Sequence, residues 1–468
     1  MPRTGDARTE AGTSSLEKWA LGLFLLGLAL CLYLRFATHP PTMWGLVPIV
    51  LYAVLVLLGI DVVLATLASL LAAVLLTGVA PKALADMLAQ SLGSFIAVIG
   101  LIIIMGAGLG QVAKETGAAE YLVRTILHRI GLSTRTRVQV GVMLTSALLV
   151  GTLGTLAGAN AILAPIVIPI AAAVGFTPPA VAAMLHAGGA PGLFVGPFTP
   201  PVVTLTGTAK IGYLAYLAAA GIPMAVATWG TGFCMARWIQ RRTEGAQAYE
   251  ESDLLKEEHV LGPAARRGAL AFILTLLLML AYGISIKAGY SYALLVMIVA
   301  AFTTGLAGSL GPLKILHAIY AGASRLIWLF LLFWLFNPIL LLVDQTKAYQ
   351  ALLDWGKPVL STIGAYAFCL IAVLIGWVGV SGAAVAQVVL MNQVFGPLVQ
   401  QLSISATAWA AVLLLSSQLD WFGPFPNADM IGQMGLARSR DLRRMLYNGW
   451  AILAVNLILF AVLLRILL

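Results

Sequence analysis

Two ionisable side chains, His186 and Asp420, lie inside strongly apolar sequence, where a charge is costly and its retention points to a task. Imidazole titrates near neutral pH and a carboxylate at membrane depth can take up a proton, so either suits the transfer of a coupling ion. Around them stand hydroxyls and amides rather than charges: Thr152, Thr155 and Asn160, then Ser381, Gln387 and Asn392, with Gly188, Gly189 and Thr199 near the histidine and Ser416, Ser417 and Asn427 near the aspartate. Such groups hydrogen-bond a carboxylate through their donors or coordinate Na+ through their oxygens, and Na+ is expected near Thr155, Asn160, Ser381 and Asn392. Each one taken singly also serves as glue between membrane helices, so the cluster carries the expectation. His186 as a neutral core histidine and Asp420 as a structural cap near Trp421 stand beside the ion-carrying readings. No Arg or Lys is placed at depth to clamp a carboxylate, which leaves anion binding to helix dipoles and neutral donors.

These residues gather where glycine interrupts apolar sequence. Residues 151–169 and 379–397 carry the same Gly-rich interruption 228 positions apart, with Gly151 matching Gly379, Gly154 matching Gly382 and Pro169 matching Pro397. The register continues through Ala180, Ala182, Ala183 and Leu185 against Ala408, Ala410, Ala411 and Leu413; after one deletion Gly196-Pro197-Phe198 meets Gly423-Pro424-Phe425. A chain with 47 glycines can align with itself by chance, but here the flanking apolar runs superpose as well. In hydrocarbon, unwound backbone persists only where protein buries it or a watery cavity faces it. Breaks are expected at two hairpin tips, Gly151–Thr155 and Gly379–Gly382, and within two helices, at Gly188–Pro201 and Asp420–Asn427. Corresponding broken segments in two halves of a chain mark the solute site of a secondary transporter, with half-helix N-termini drawing anions and freed carbonyls suiting small cations.

The elements that must position them follow from composition. With 61% apolar and 10% charged residues and a mean hydropathy of +0.98, the chain cannot present a wet surface all round. An all-α polytopic membrane protein is expected, with eleven crossings near 17–35, 43–59, 61–79, 91–113, 178–208, 212–238, 268–286, 289–309, 324–343, 405–428 and 447–467. Segments 137–174 and 364–402 read as re-entrant hairpins, each preceded by an amphipathic surface helix, at 118–131 and 347–360. The organisation is then 1–39 as a cytoplasmic N-terminus with an extra first helix, 40–238 as repeat 1, 239–267 as a cytoplasmic linker and 268–468 as repeat 2. Five crossings per repeat is odd, so the repeats should be inverted. With the N-terminus in the cytoplasm and the C-terminus outside, 20 of the 27 basic residues fall on inside segments, the distribution expected of a multi-pass protein of the cell's inner (cytoplasmic) membrane. The net charge of +9 therefore reports orientation in the lipid bilayer rather than a nucleic-acid partner. No cleavable signal is expected, since the first apolar run is long enough to span. Cys31, Cys234 and Cys369 lack ligand spacing, no nucleophile stands beside a base, and no P-loop occurs, so neither an enzyme, a cofactor beyond a coupling H+ or Na+, nor an ATP-driven pump is expected. A channel would more naturally repeat a selectivity motif around an oligomer.

The order of one leading helix, two five-helix repeats, a hairpin in each and a broken helix after each resembles the ion transporter superfamily of secondary carriers. The divalent-anion symporters of that superfamily carry a Ser-Asn-Thr triplet at each hairpin tip. Here those positions read Gly151-Thr152-Leu153-Gly154-Thr155 and Gly379-Val380-Ser381-Gly382, so the likeness is nearer the gluconate, lactate and dicarboxylate permease and Na+/H+ antiporter-like branches. The resemblance implies a dimerising scaffold, hence a homodimer, and a transport body that slides as an elevator. The expectation is a carrier of a small organic anion coupled to H+ or Na+, with a Na+/H+ antiporter of the same fold as the alternative.

Overall fold

The computed structural model describes residues 6–131, 133–250, 261–378 and 384–468. They form helices α1 Asp6–Ala37, α2 Val47–Leu57, α3 Val62–Thr77, α4 Pro81–Ser91, α5 Phe95–Glu115, α6 Ala118–Ile130, α7 Arg135–Leu153, α8 Leu156–Ala173, α9 Pro178–Val195 and α10 Pro200–Ala209. After α11, Tyr213–Thr243, come α12 Pro263–Ser285, α13 Tyr292–Ala307, α14 Pro312–Ser324, α15 Ile327–Gln345 and α16 Ala348–Val378. The chain ends with α17 Ala384–Gln401, α18 Ala406–Ser417, α19 Leu419–Phe422, α20 Ala428–Leu436 and α21 Leu442–Leu467. Local chemistry sets many of these starts. Proline opens α4, α9, α10, α12 and α14, where its missing N–H costs nothing. Asp61 caps α3 by accepting from the Val63 and Leu64 N–H groups at 2.9 and 3.1 Å, as its place at a helix end suggests.

Among the described residues nine helices are long and apolar enough to cross a membrane, with shorter apolar helices beside them. The fold is that of a polytopic membrane protein, as composition requires. The span count differs from eleven for local reasons. The runs at 43–59, 61–79 and 289–309 close early, as α2, α3 and α13, while 405–428 divides into α18, α19 and the start of α20. Both arms of the first hairpin, 19 and 18 residues long, qualify as spans in their own right. Two full crossings return the chain to the side it left, as a re-entrant loop does, so the parity argument is unaffected. The break expected at Gly188–Pro201 is shorter and later: α9 stays helical to Val195 and the chain turns only at Gly196–Thr199. The surface helix expected at 347–360 runs on to Val378 through a kink at Gly364, whose φ is 69°.

The chain divides into two compact units, each drawing on both halves of the sequence. Unit 1 comprises residues 1–100, 328–363 and 393–398; unit 2 comprises 101–327, 364–392 and 399–468. Within unit 1, α1 packs on α2 and α3, and the Trp334 indole N–H donates to the Leu88 carbonyl at 2.8 Å. At the centre of unit 2 lies α9, every residue of which from Pro178 to Phe194 is buried, packed mainly on α7 and α11. Its small side chains explain the approach. A Cβ on Gly188 would lie 2.7 Å from the Met143 Cα, and one on Gly189 2.6 Å from the Ser146 hydroxyl. Outward faces are apolar too: Leu274, Leu277 and Leu278 of α12 are each more than half exposed, as lipid-facing residues would be.

The repeat register is visible in unit 2. Helix starts at Leu156, Pro178 and Pro200 recur at Ala384, Ala406 and Ala428, each 228 positions on. Equivalent residues of two related halves can meet only near the axis that relates them, and two such pairs do. The Phe194 and Phe422 rings stand edge to face at 6.4 Å between centroids, and the Asn456 amide donates to the Thr228 hydroxyl at 2.7 Å.

Candidate functional site

The first hairpin turns on one residue. α7 ends at Gly154, whose φ of 76° only glycine adopts without strain, and its N–H returns to the Val150 carbonyl at 2.8 Å. Thr155 then takes extended backbone at the N-cap of α8, yet its side chain makes no capping bond, so the first N–H groups of that helix have no hydroxyl cap. The tip rests directly on the turn between α9 and α10. A Cβ on Gly154 would lie 3.2 Å from Pro200, one on Gly151 would lie 3.2 Å from the Gly192 carbonyl oxygen, and one on Gly196 would collide with the Gly151 carbonyl. Backbone touches backbone here. The Thr152 hydroxyl is spent on the Leu148 and Leu149 carbonyls, and that of Thr199 on Leu193 and Gly196. Gly188 and Gly189, inside α9, serve close packing against α7 rather than a break.

One turn and a half into α8, Asn160 is fully buried at the centre of a polar knot. Its Oδ1 accepts from the Ser146 hydroxyl at 2.6 Å, and its amide donates to the Leu185 carbonyl at 2.9 Å and to Gln433 Oε1 at 2.8 Å. Next along α9, His186 is also fully buried; its Nε2 lies 2.8 Å from the Trp421 carbonyl, and its ring meets Phe422 edge to face at 5.1 Å. An Nε2–H donated to that carbonyl leaves Nδ1 as acceptor, 3.5 Å from the Asn448 amide nitrogen, so a neutral imidazole satisfies the geometry. The Trp421 carbonyl also accepts from the Asn427 amide at 3.0 Å, while Asn427 Oδ1 caps α20 through the Met430 N–H at 2.8 Å. Asn427 thus fixes the second break from both sides.

The second tip differs. Ser381 and Gly382 lie outside the described residues, but the start of the following helix is clear. Asp420 Oδ2 accepts from the Ala384 N–H at 3.0 Å, so a carboxylate sits at the N-terminus of α17. Asp429, in the first turn of α20 and half-buried, is close enough for its charge to feel that of Asp420. Gln387 donates to the Ser416 carbonyl at 3.0 Å and to Gly376, which spends its amide on the neighbouring helix, and Ser416 and Ser417 return their hydroxyls to Leu413 and Leu414 of α18. Asn392 lies eight residues, about 12 Å, along α17 from Ala384 and accepts from the Trp409 indole at 2.8 Å. Of the described residues expected to hold Na+, Asn160 and Asn392 each already accept a hydrogen bond at the side-chain oxygen.

Several polar residues that frame the site were not singled out in the sequence. Gln433, Asn448 and Asn456 are fully buried, and each keeps one amide atom without a hydrogen-bond partner among the described residues. Such an atom costs about 1–3 kcal/mol unless water reaches it. The spacing of 228 between Thr228 and Asn456 could have paired those two; nothing in the sequence marks Gln433 or Asn448. Asp429 was legible only as a helix-end residue.

A model of the Na+/H+ antiporter family matches residues 15–217, less than half of the chain. Among curated proteins, none matches. Two solved structures share the fold. The YdaH transporter of Alcanivorax borkumensis, described as having an unusual topology, is 17% identical, with 82% of this chain and 88% of that one covered at a TM-score of 0.59. MtrF of Neisseria gonorrhoeae, described within a class of antimetabolite efflux pumps, is 15% identical, with 81% and 82% covered at a TM-score of 0.56. The chain has the fold of a multi-pass membrane transporter.

Proposed function

We propose that the chain is a secondary active transporter that moves a small organic anion together with H+ or Na+, with unit 2 as the body that carries the solute in an elevator motion. One observation carries the reading: the two hairpins present opposite ends of the same electrostatic problem. The uncapped N-terminus of α8 attracts negative charge, while the N-terminus of α17 is already occupied by the Asp420 carboxylate, which attracts a proton or a cation. Every described candidate residue belongs to unit 2, consistent with a site carried in one piece. In this reading Asp420 takes the coupling ion, and Asn160, Gln433 and His186 hold the helices around the solute. A homodimer would brace such a motion. The second reading, Na+/H+ exchange without an organic cargo, is favoured by the family match over residues 15–217 and by the Asp420–Asp429 pair.

Proteoliposomes loaded with the purified chain separate the two. Uptake of a labelled carboxylate that rises with an imposed Na+ or pH gradient supports the first; gradient dissipation with no carboxylate uptake across a broad panel supports the second. Neither response would reject both.

A further inference from the structure

A cavity of about 570 Å³ opens in unit 2 between the end of α10 with the start of α11 and the end of α12 with the start of α13. That lies within the range of about 300–1,000 Å³ found for small-molecule sites. Its walls are mostly apolar, with Phe198, Val203, Leu280 and Ile284 among them, and no Asp or Glu lines it. Two lysines do, Lys210 and Lys287. Both are exposed and neither makes an ion pair or a hydrogen bond through its ammonium among the described residues. Both also sit in left-handed backbone, with φ of 53° and 50°, a conformation that a side-chain-bearing residue adopts only when the surrounding fold holds it there. The carbonyl ends of α10 and α12 and the N–H starts of α11 and α13 all border the cavity, so their partial charges offset one another and the two ammonium charges remain.

An unpaired pair of ammonium groups over apolar walls selects a ligand with a negative head and an apolar body. We propose that this cavity binds the anionic head of an amphiphile, a carboxylate or a phosphate, with Lys210 and Lys287 as its counter-ions and the apolar wall as the seat of its body. A hydrophilic anion gains nothing from Phe198 or Ile284, and a neutral amphiphile leaves both lysines unanswered. Two sources share this chemistry: an anionic phospholipid, whose chains would run along the exposed leucines of α12, and a free amphiphilic acid. Its wall includes Pro197 and Phe198 of the turn on which the first hairpin tip rests, while both lysines lie at the far ends of α10 and α12.

The test is calorimetric titration of the purified, delipidated full chain in neutral detergent with dioctanoyl phosphatidylglycerol, dioctanoyl phosphatidylcholine and decanoate. Saturable binding of at least one anionic probe is expected, about tenfold or more tighter than phosphatidylcholine, and weakened to a similar extent in the Lys210→Gln/Lys287→Gln double variant. The Lys210→Arg/Lys287→Arg variant should keep it, which separates lost charge from lost structure. Phosphatidylglycerol binding without decanoate binding assigns the site to the membrane's own lipid; decanoate binding as tight or tighter assigns it to free acids. Equal binding of phosphatidylcholine and phosphatidylglycerol with no decanoate binding, unchanged binding by the glutamine variant, or no binding of any probe overturns the proposal.

Discussion

The two hairpins share a sequence pattern and a helix register, yet the helices that leave them, α8 and α17, begin with opposite electrostatics. At the first, Gly154 ends one helix and Thr155 starts the next without capping it; at the second, the corresponding helix start is met by Asp420, reaching across from the break between α18 and α20. The first break has no acid in the equivalent place: Gly192 stands there, 228 positions before Asp420. The two helix starts share a register, and a side chain one break away makes them different. A pair of identical poles would bind two like charges; an unlike pair suits an anion with a cation.

Making the poles alike is the sharpest way to break the comparison. Asp420→Asn keeps an acceptor for the Ala384 N–H but removes the charge. Gradient-driven uptake should fall about a hundredfold, equivalent to losing a charge-assisted interaction of about 3 kcal/mol, while the protein still inserts. Uptake with unchanged pH and Na+ dependence in liposomes would remove Asp420 from the coupling step. The converse change, Thr155→Asp, gives the first tip the carboxylate of the second. It should cap α8 with a gain of about 1 kcal/mol in thermal stability and depress anion uptake about tenfold. A variant that transports normally would show that the first tip is not the anion pole.

Smaller effects probe the frame behind the tips. Gly196→Ala places a methyl against the Gly151 carbonyl and should cost about 1–3 kcal/mol, read as a lower melting temperature in detergent. For the knot beneath, Asn160→Ala and Gln433→Ala should each cost about 1–3 kcal/mol, with a double variant less than additive because the two side chains bond each other. Full additivity in that cycle would deny the hydrogen bond. Least of all, Tyr249→Phe removes one bond from its hydroxyl to the Ala437 carbonyl, at 3.1 Å, near the start of the linker. Burial pushes that phenol well above its ordinary range, outweighing the opposing pull of Arg438, so it remains a donor at neutral and mildly alkaline pH. The variant should lose about 1 kcal/mol or less at either pH and transport as before.

The sequence by itself determined the class, and it pointed to the glycine at which the first hairpin turns. Hydropathy leaves no alternative to burial in lipid, and a glycine between two apolar runs must end a helix wherever its neighbours need positive φ, as at Gly154. It also located Asp420 and His186, because an ionisable group in an apolar run is conspicuous. What it could not separate was a glycine that ends a helix from one that admits a neighbour. Gly188 and Gly189 look like a break in the sequence, yet they continue α9, since backbone hydrogen bonds outweigh glycine's poor helix propensity of about 1 kcal/mol and the missing side chains let α7 approach. Only the tertiary structure decided which polar atoms meet. Asn160 and Gln433 are 273 residues apart and His186 and Asn448 are 262 apart, with nothing in their local sequence to pair them. Such partners are chosen by how helices pack, because a buried donor takes whatever acceptor the packing brings within about 3 Å.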